Sequence, residues 1–514
     1  MIFLSLGRIA CEMGRHYRGN KNVVIWQADN EIGHEGSDMC WCDNCLKEFQ
    51  KYLRDKYQNI DELNERWGTV FWSQKYDSFE DVVLPKDAYT AQNPSLRLEW
   101  ERFRSLSAER YIRLLYDQLK AADPEAVVLH DFEGGNLEKH FDPYAVARPL
   151  DDVAYNNYPV WGGSTEPMTP WAVALSLDAA RGLKGANFWV TEEIMGAQGH
   201  DTIGCAVKPK QGSVWAMQAL AHGVKNFLIF RYRGFTKGAE QYCYGIIDAD
   251  NQKRRKFREV KELYHAIREH EQIFQSPVKG QCAMVFDYDS AASFRIQRQS
   301  DAFHYVREME RLYKQLYSRS LLTDVITKAD SLDGYELVIL PHMIVMSDEF
   351  KEKLKDYVRK GGTVVMTART AWKDTDNNLV FGRMLPVDLT DLAGVEVCEQ
   401  ESLLNGQSRA ITDGEGSYQL TVFADMLKPA GAQSIMKYEN NPFGDHTAVS
   451  MNRYGQGRCF YLGGSLDDRA MEKVFTIITG KKSRDDLNRE TVIRDDHQIL
   501  LDYENMSYEI KQKG

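Results

Sequence analysis

Val23-Val24-Ile25-Trp26-Gln27-Ala28-Asp29-Asn30-Glu31 is the stretch on which the reading of the chain turns. Its β-branched and aromatic start reads as a buried strand, and its polar tip delivers Asn30 and Glu31. A parallel strand covered on both faces is nearly continuously apolar, so a carboxylate at its C-terminal end stands out. In an α/β barrel that end of the strand is where chemistry sits. Glu31 is therefore the first catalytic candidate, and the question becomes whether a second carboxylate faces it.

Before this strand, residues 7–18 form an amphipathic helix ending at Gly19. After it, a polar loop carries Cys40-Trp41-Cys42-Asp43-Asn44-Cys45 into a helix at Leu46–Tyr57. Trp67, Phe71 and Trp72 are too aromatic for a solvated linker and read either as a packed loop or as a pocket wall. Asn93–Ala122 is one long helix, stopped at Asp123-Pro124. Then a pattern repeats. Strand Ala126–Leu129 ends in His130-Asp131-Phe132, strand Asp152–Tyr155 in Asn156-Asn157-Tyr158-Pro159, strand Asn187–Thr191 in Glu192-Glu193, and strand Asn226–Phe230 in Arg231-Tyr232-Arg233. Helices such as Thr169–Leu183 and Gly212–His222 alternate with them, which predicts parallel βα units with a site at one face. Counted from Glu31 there are five such strands, where a closed barrel has eight.

Near residue 280 the character changes. Strands Ala283–Asp287, Glu336–Pro341 and Thr363–Ala368 alternate with helices Ala302–Arg319 and Ser347–Arg359, predicting an open doubly wound sheet. No strand runs into a glycine-rich phosphate loop, and Pro341-His342-Met343 offers no nucleophilic cysteine, so this region reads as architectural. Thr491–Arg494 and Ile499–Tyr503 predict a small β tail. The expected domains are 1–278, 279–485 and 486–514.

Glu192 supplies the second carboxylate. Two carboxylates on facing strand ends suit glycoside hydrolysis, one protonating the leaving oxygen and the other attacking the anomeric carbon or activating water. The aromatic loops fit a sugar site. From spacing alone a plainer role fits equally well, in which Glu31 and Glu192 cap barrel strands by pairing with Arg231 or Arg233.

The 514 residues carry a formal charge of −11, which argues against a nucleic-acid binder. No apolar run approaches the ~20 residues needed to span a bilayer. Met1–Leu6 is too short for a secretion signal, so the expectation is a cytoplasmic protein. Nine cysteines in a chain this long do not read as a disulfide framework, and only Cys40, Cys42 and Cys45 look arranged for a purpose. His16, His34 and His222 are assigned no role.

The strings WQADNE, CWCDNC, LNERWGTVFWSQKY, NNYP, FWVTEE and QALAHGVKNFLIFRYR, in this order, resemble glycoside hydrolase family 42, the β-galactosidases. The region 280–485 resembles that family's second domain. The resemblance implies a retaining (β/α)8 TIM barrel lacking its first three βα units, followed by an open α/β (flavodoxin/amidotransferase-like) domain and a short β tail. It implies Glu31 as acid/base and Glu192 as nucleophile, with Glu193 the fallback if the register slips by one. Asn30 would hold the sugar 2-hydroxyl, Tyr158 would stand beside the nucleophile, and Glu240 would hold a galactose hydroxyl. His200 takes the place of a family tryptophan, and Cys243 that of a galactose-contacting histidine. Cys40, Cys42 and Cys45 resemble three ligands of the family's structural zinc, whose fourth would lie in the missing N-terminal part; the plainer reading is three reduced thiols. A homotrimer is implied, with a galactoside or small oligosaccharide as substrate and neither nucleic acid nor membrane as partner. The expected function is a retaining β-galactosidase. The alternatives are an α-L-arabinopyranosidase of the same mechanism, or a truncated non-catalytic remnant. The short barrel reads as a truncation of a longer gene product rather than as one half of a two-chain barrel.

Overall fold

The computed structural model describes residues 2–86, 88–134, 137, 141–440 and 442–513. Its first part is built on the short parallel strands β1 (Trp26–Gln27), β2 (Val128–Leu129), β3 (Asp131–Phe132), β4 (Ala154–Asn157), β5 (Phe188–Ile194) and β6 (Val224–Phe230). Helices α1 (Ile2–Tyr17), α2 (Asp43–Tyr57), α3 (Ile60–Trp67), α4 (Pro94–Ala122), α5 (Pro143–Ala147), α6 (Pro170–Gly182) and α7 (Gln211–Ala221) connect and cover them. β2 and β3 are one extended run interrupted at His130. Its first half pairs with β1 and its second with β4, after which β4 pairs β5 and β5 pairs β6, all in parallel. Five extended segments thus lie side by side in chain order, the winding expected of barrel units.

The predicted strand from Val23 to Asn30 is shorter than expected and only partly buried. Ala28 is covered, but Val24 is 69% exposed. Among the described residues β1 pairs only with β2, so the apolar residues preceding it have a sheet neighbour on one side alone. The strand ends early because Asp29 and Glu31 adopt left-handed backbone (φ 68° and 41°), turning the chain out of the sheet at the candidate carboxylate.

α4 is the main buttress of this region. Asn93 caps it by accepting from the Ser95 and Leu96 N–H groups, Pro94 sits where its missing N–H costs nothing, and the helix stops before Pro124. One of its faces closes an aromatic cluster of Phe49, Tyr57, Trp67, Trp100 and Phe103. Trp67 is therefore core. Phe71 and Trp72, 64% and 62% exposed, are neither packed loop nor wall of the candidate site described below; their rings meet at a tilt at the surface, centres 4.7 Å apart.

The second part contains β7 (Cys282–Val285), β8 (Thr323–Ile326), β9 (Leu337–Leu340) and β10 (Thr363–Thr367), in the parallel order β8-β7-β9-β10. That is the doubly wound pattern the sequence predicts. The sheet then continues through Gly457–Leu462, parallel to β10, into an antiparallel extension that brings it to 12 strands and was not anticipated. The tail has three antiparallel strands rather than two: Arg489–Arg494, His497–Asp502 and Ser507–Gln512. Val492, Ile499, Leu501 and Tyr503 join the hydrophobic core beneath α7, so the tail is a layer of the first part.

A buried ionic cluster ties all three parts together. Arg181 on α6 pairs with Asp178 and donates to the Thr323 carbonyl and Asp324 carboxylate of the second part. His222, just past α7, bridges Asp178 at 2.7 Å and Glu490 of the tail at 2.8 Å. Tyr313 donates to Asp178, and Tyr503 and Gln218 donate to Glu490.

Candidate active site

Glu31 stands on a turn braced from beneath. The buried His130 donates from Nδ1 to the Ala28 carbonyl at 2.7 Å, leaving Nε2 to accept the Ile32 N–H at 3.3 Å. Burial lowers the His130 pKa, in keeping with a neutral ring in that bridging tautomer. The Glu31 N–H donates to Asp131, whose other oxygen accepts from Asn156 Nδ2 at 3.0 Å. The same Asn156 amide donates to Glu31 Oε1 at 2.7 Å, and Thr191 holds the Asn156 carbonyl oxygen. His34 lies with Nε2 3.8 Å from the other Glu31 oxygen and with Nδ1 against Glu133. Burial raises the Glu31 pKa; Asp131 and Glu133 push the same way, while Asn156 and His34 oppose.

Glu192 owes its direction to a β-bulge. On β5, Val190 pairs with Tyr155 of β4 but the next paired residue is Glu192, opposite Asn156, leaving Thr191 as the extra residue. The alternation of buried and open side chains breaks there, so Thr191 and Glu192 are both partly open and Glu193 turns inward. Tyr158 donates its hydroxyl to Glu192 Oε2. Burial lifts the Glu192 carboxyl to about 7 against that hydrogen bond, with the charges of Glu31, Asp131 and Glu240 adding to the rise. Glu193 is fully buried, held by Asn157 Nδ2 at 3.1 and 3.3 Å, and burial raises its pKa well above the carboxylate range. It does not line the cavity.

Glu31 and Glu192 face one open cavity of about 600 Å³. Asn30, Tyr158, His200 and Glu240 also line it, so the structure brings together the two carboxylates and the four further residues expected to bind substrate. Glu240 pairs with Arg231, which lies across the rings of Phe230 and Phe235. Arg231 is thus engaged away from both carboxylates. Cys243 is buried with its thiol toward the Gly199 carbonyl and stands outside the lining.

Two further residues of the lining, Glu133 and Trp161, were not singled out in the sequence, and His34, to which the sequence reading assigned no role, lines the cavity as well. Trp161 packs edge-on against Tyr158 and His200, with ring centres 4.9 and 5.5 Å away, making the aromatic wall sought in Phe71 and Trp72. Asp131 and Asn156 stand at strand ends already noted, and that shared position was the signal available for them.

The Cys40, Cys42 and Cys45 sulfurs lie within 4.8 Å of one another, at 3.5 Å from Cys40 to Cys42 and 3.7 Å from Cys42 to Cys45. A tetrahedral zinc with Zn–S bonds of ~2.3 Å spaces its sulfurs by about 3.8 Å, so the three thiols fit three corners. Backbone and side-chain hydrogen bonds, the Cys45 N–H foremost, lower the Cys42 thiol to about 7, while burial raises Cys45 to about 12. Cys11 lies on α1, and no fourth sulfur joins the cluster among the described residues.

Comparison with known proteins agrees along the chain. The glycoside hydrolase family 42 model described as "Beta-galactosidase" matches residues 5–270, and that of the "Beta-galactosidase trimerisation domain" matches residues 280–483. The β-galactosidase BgaA of Clostridium cellulovorans is 32% identical over 461 residues, spanning 88% of this chain and 68% of the relative. BgaH of Haloferax lucentense is 31% identical over 470 residues, spanning 89% and 69%. The solved β-galactosidase of Halorubrum lacusprofundi superposes with a TM-score of 0.89 at 28% identity, over 96% of this chain and 76% of that one.

Proposed function

This chain belongs to glycoside hydrolase family 42, the β-galactosidases, and from that premise we propose that it hydrolyses terminal β-D-galactosides with retention. In this reading the five parallel segments are strands four to eight of the family's TIM barrel. Glu192 attacks the anomeric carbon while Glu31 protonates the departing oxygen, and Glu31 then takes a proton from the water that releases the sugar. The observation that carries the proposal is the shared cavity, where each carboxylate has its own hydrogen-bond donor: Asn156 for Glu31 and Tyr158 for Glu192.

The two donors do the same work, each favouring the ionised carboxylate against burial, Asn156 at Glu31 and Tyr158 at Glu192. A nucleophile requires the ionised form that Tyr158 favours at Glu192, and a general acid the proton that burial favours at Glu31. Asn30 and Glu240 offer polar contacts to sugar hydroxyls, and the Trp161 ring offers a face for the apolar side of a sugar or aglycone.

Cys40, Cys42 and Cys45 would hold a structural zinc, fastening the loop between Glu31 and α2 without taking part in the reaction. A homotrimer in the cytoplasm completes the proposal, the former supported by the trimerisation-domain match. The test is release of nitrophenol from a nitrophenyl β-D-galactoside by the purified protein and by Glu31→Ala and Glu192→Ala. Turnover by the parent and a loss of ~10²–10⁴-fold or more in each variant is expected. A folded parent without turnover would contradict the proposal.

A further inference from the structure

The two oxygens of Glu31 have different neighbours. Oε1 accepts from Asn156 Nδ2 at 2.7 Å, so the proton of the acid form belongs on Oε2. Oε2 faces His34 Nε2 across 3.8 Å, beyond hydrogen-bond length. Both groups are within reach of a ligand, the His34 and Glu31 side chains keeping 40% and 15% of their surface open. The backbone fixes His34 there. Its N–H returns to the Glu31 carbonyl at 2.9 Å, and Gly33 turns left-handed between them (φ 89°). The Phe141 ring lies 2.6 Å from where a Cβ on Gly33 would stand, so glycine alone suits this turn. Glu133, just past β3, faces the His34 Nδ1. A carboxylate there keeps the Nδ1 proton in place and leaves Nε2 to the cavity. Ser37 Oγ donates to the His34 carbonyl at 2.9 Å and lines the same rim. The aromatic lining, Tyr158, Trp161 and Phe230, belongs instead to the loop after β4 and the end of β6.

We propose that His34 determines leaving-group specificity, its Nε2 recognising the hydroxyl on the carbon next to the scissile oxygen. The inference rests on the galactosidase reading, with Glu31 as acid/base. The leaving oxygen must come within hydrogen-bond reach of Glu31 Oε2 to take its proton. Oxygens on adjacent carbons of a sugar are separated by a gap of the same order as that between Oε2 and Nε2. One oxygen can then meet Glu31 while its neighbour meets His34, and Glu133 holds the imidazole to that task. A vicinal diol, as in a second sugar, fills both positions. An aromatic or simple alkyl leaving group fills only the first and leaves Nε2 unmatched. The preferred substrate is therefore a galactosyl saccharide rather than an aryl or alkyl galactoside.

The test reads how the galactosyl–Glu192 ester is shared between two acceptors, since an acceptor takes the leaving-group position in reverse. The acceptor oxygen attacks the anomeric carbon, its proton passes to Glu31, and Glu192 departs as the carboxylate. The full chain is given a nitrophenyl β-D-galactoside with equimolar propane-1,2-diol and propan-1-ol, and the two galactoside products are quantified. The parent should favour the diol by ~5-fold or more, the discrimination that one hydrogen bond supplies. His34→Phe should reduce that preference to about twofold or less, the count of hydroxyls alone. His34→Gln, which keeps a hydrogen-bonding group, should fall between the two. The ratio is internal to each sample, so a lower folded fraction or a slower turnover does not alter it. A parent ratio near unity, or a ratio unchanged in His34→Phe, would overturn the inference while leaving the galactosidase reading intact. A folded parent that releases no nitrophenol would overturn both.

Discussion

The candidate active site and the three-part junction are made from the same materials, and they behave in opposite ways. At the junction, Asp178 meets Arg181 and His222, and Glu490 meets His222. Burial alone would raise Asp178 and lower His222; the paired charges win, lowering Asp178 and lifting His222 to about 9. In the cavity, Glu31 and Glu192 have amide and hydroxyl donors and no arginine or lysine pair among the described residues, so burial and like charges raise both. A carboxylate whose charge is fully matched holds the fold together. One left half-matched beside open space is poised to exchange a proton or attack.

The largest stability effect should come from breaking a matched charge. Asp178→Asn removes the carboxylate that Arg181 and His222 share, leaving them Asp324 and Glu490, and should cost ~3–5 kcal/mol in denaturant unfolding while leaving the turnover of the folded fraction within a few-fold. A change below ~1 kcal/mol would mean the junction is not the tie we describe.

The pH dependence of stability should separate the regions next. His222 has a raised folded pKa, so its contribution is fully present below its unfolded value near 6.5 and is lost as pH rises through about 9. A decline on the order of 3 kcal/mol is expected over that window, and His222→Gln should flatten it. Glu192 is also raised, from 4.5 to about 7, but as an acid whose charged form the fold disfavours. Stability should therefore fall between those values, and Glu192→Gln should gain ~1–2 kcal/mol at pH 8 once solvent exposure is discounted. A destabilised Glu192→Gln would erase the contrast.

The smallest effect should come from Tyr158→Phe. Removing a donor to the ionised carboxylate raises its pKa, so the acid limb of kcat/KM, expected near pH 7, should move up by less than ~1 unit, or ~1.4 kcal/mol. A downward shift would mean Tyr158 does not stabilise the charged form.

Much of this was legible in the sequence because the signals are local. Alternating apolar strands and amphipathic helices declared parallel units, and a carboxylate at an apolar strand's end marked Glu31 and Glu192, while Asn30 and Tyr158 took their roles from the family resemblance. What was not legible depends on neighbours. Val24 looks like core and is open because β1 has one partner among the described residues. The choice of Glu192 over Glu193 rests on the bulge at Thr191, which periodicity does not reveal. Trp161 lies in a polar loop, while the richer aromatic run at Phe71 and Trp72 drew the attention and sits at the surface. The antiparallel extension was missed although Ser417–Thr421 alternates between exposed and buried residues as a half-covered strand should. His222 gave no sign of its role, because both its partners come from distant segments.

The central claim is that Glu192 attacks the sugar and Glu31 serves as its acid and base. Azide added to each alanine variant, with a nitrophenyl β-D-galactoside as donor, tests it directly through the stereochemistry of the galactosyl azide formed. With Glu192→Ala, azide replaces the nucleophile in a single displacement and the product should be the α-azide. With Glu31→Ala, the galactosyl–Glu192 ester still forms and azide opens it from the other face, giving the β-azide. The opposite assignment of products, or one anomer from both variants, would contradict the account.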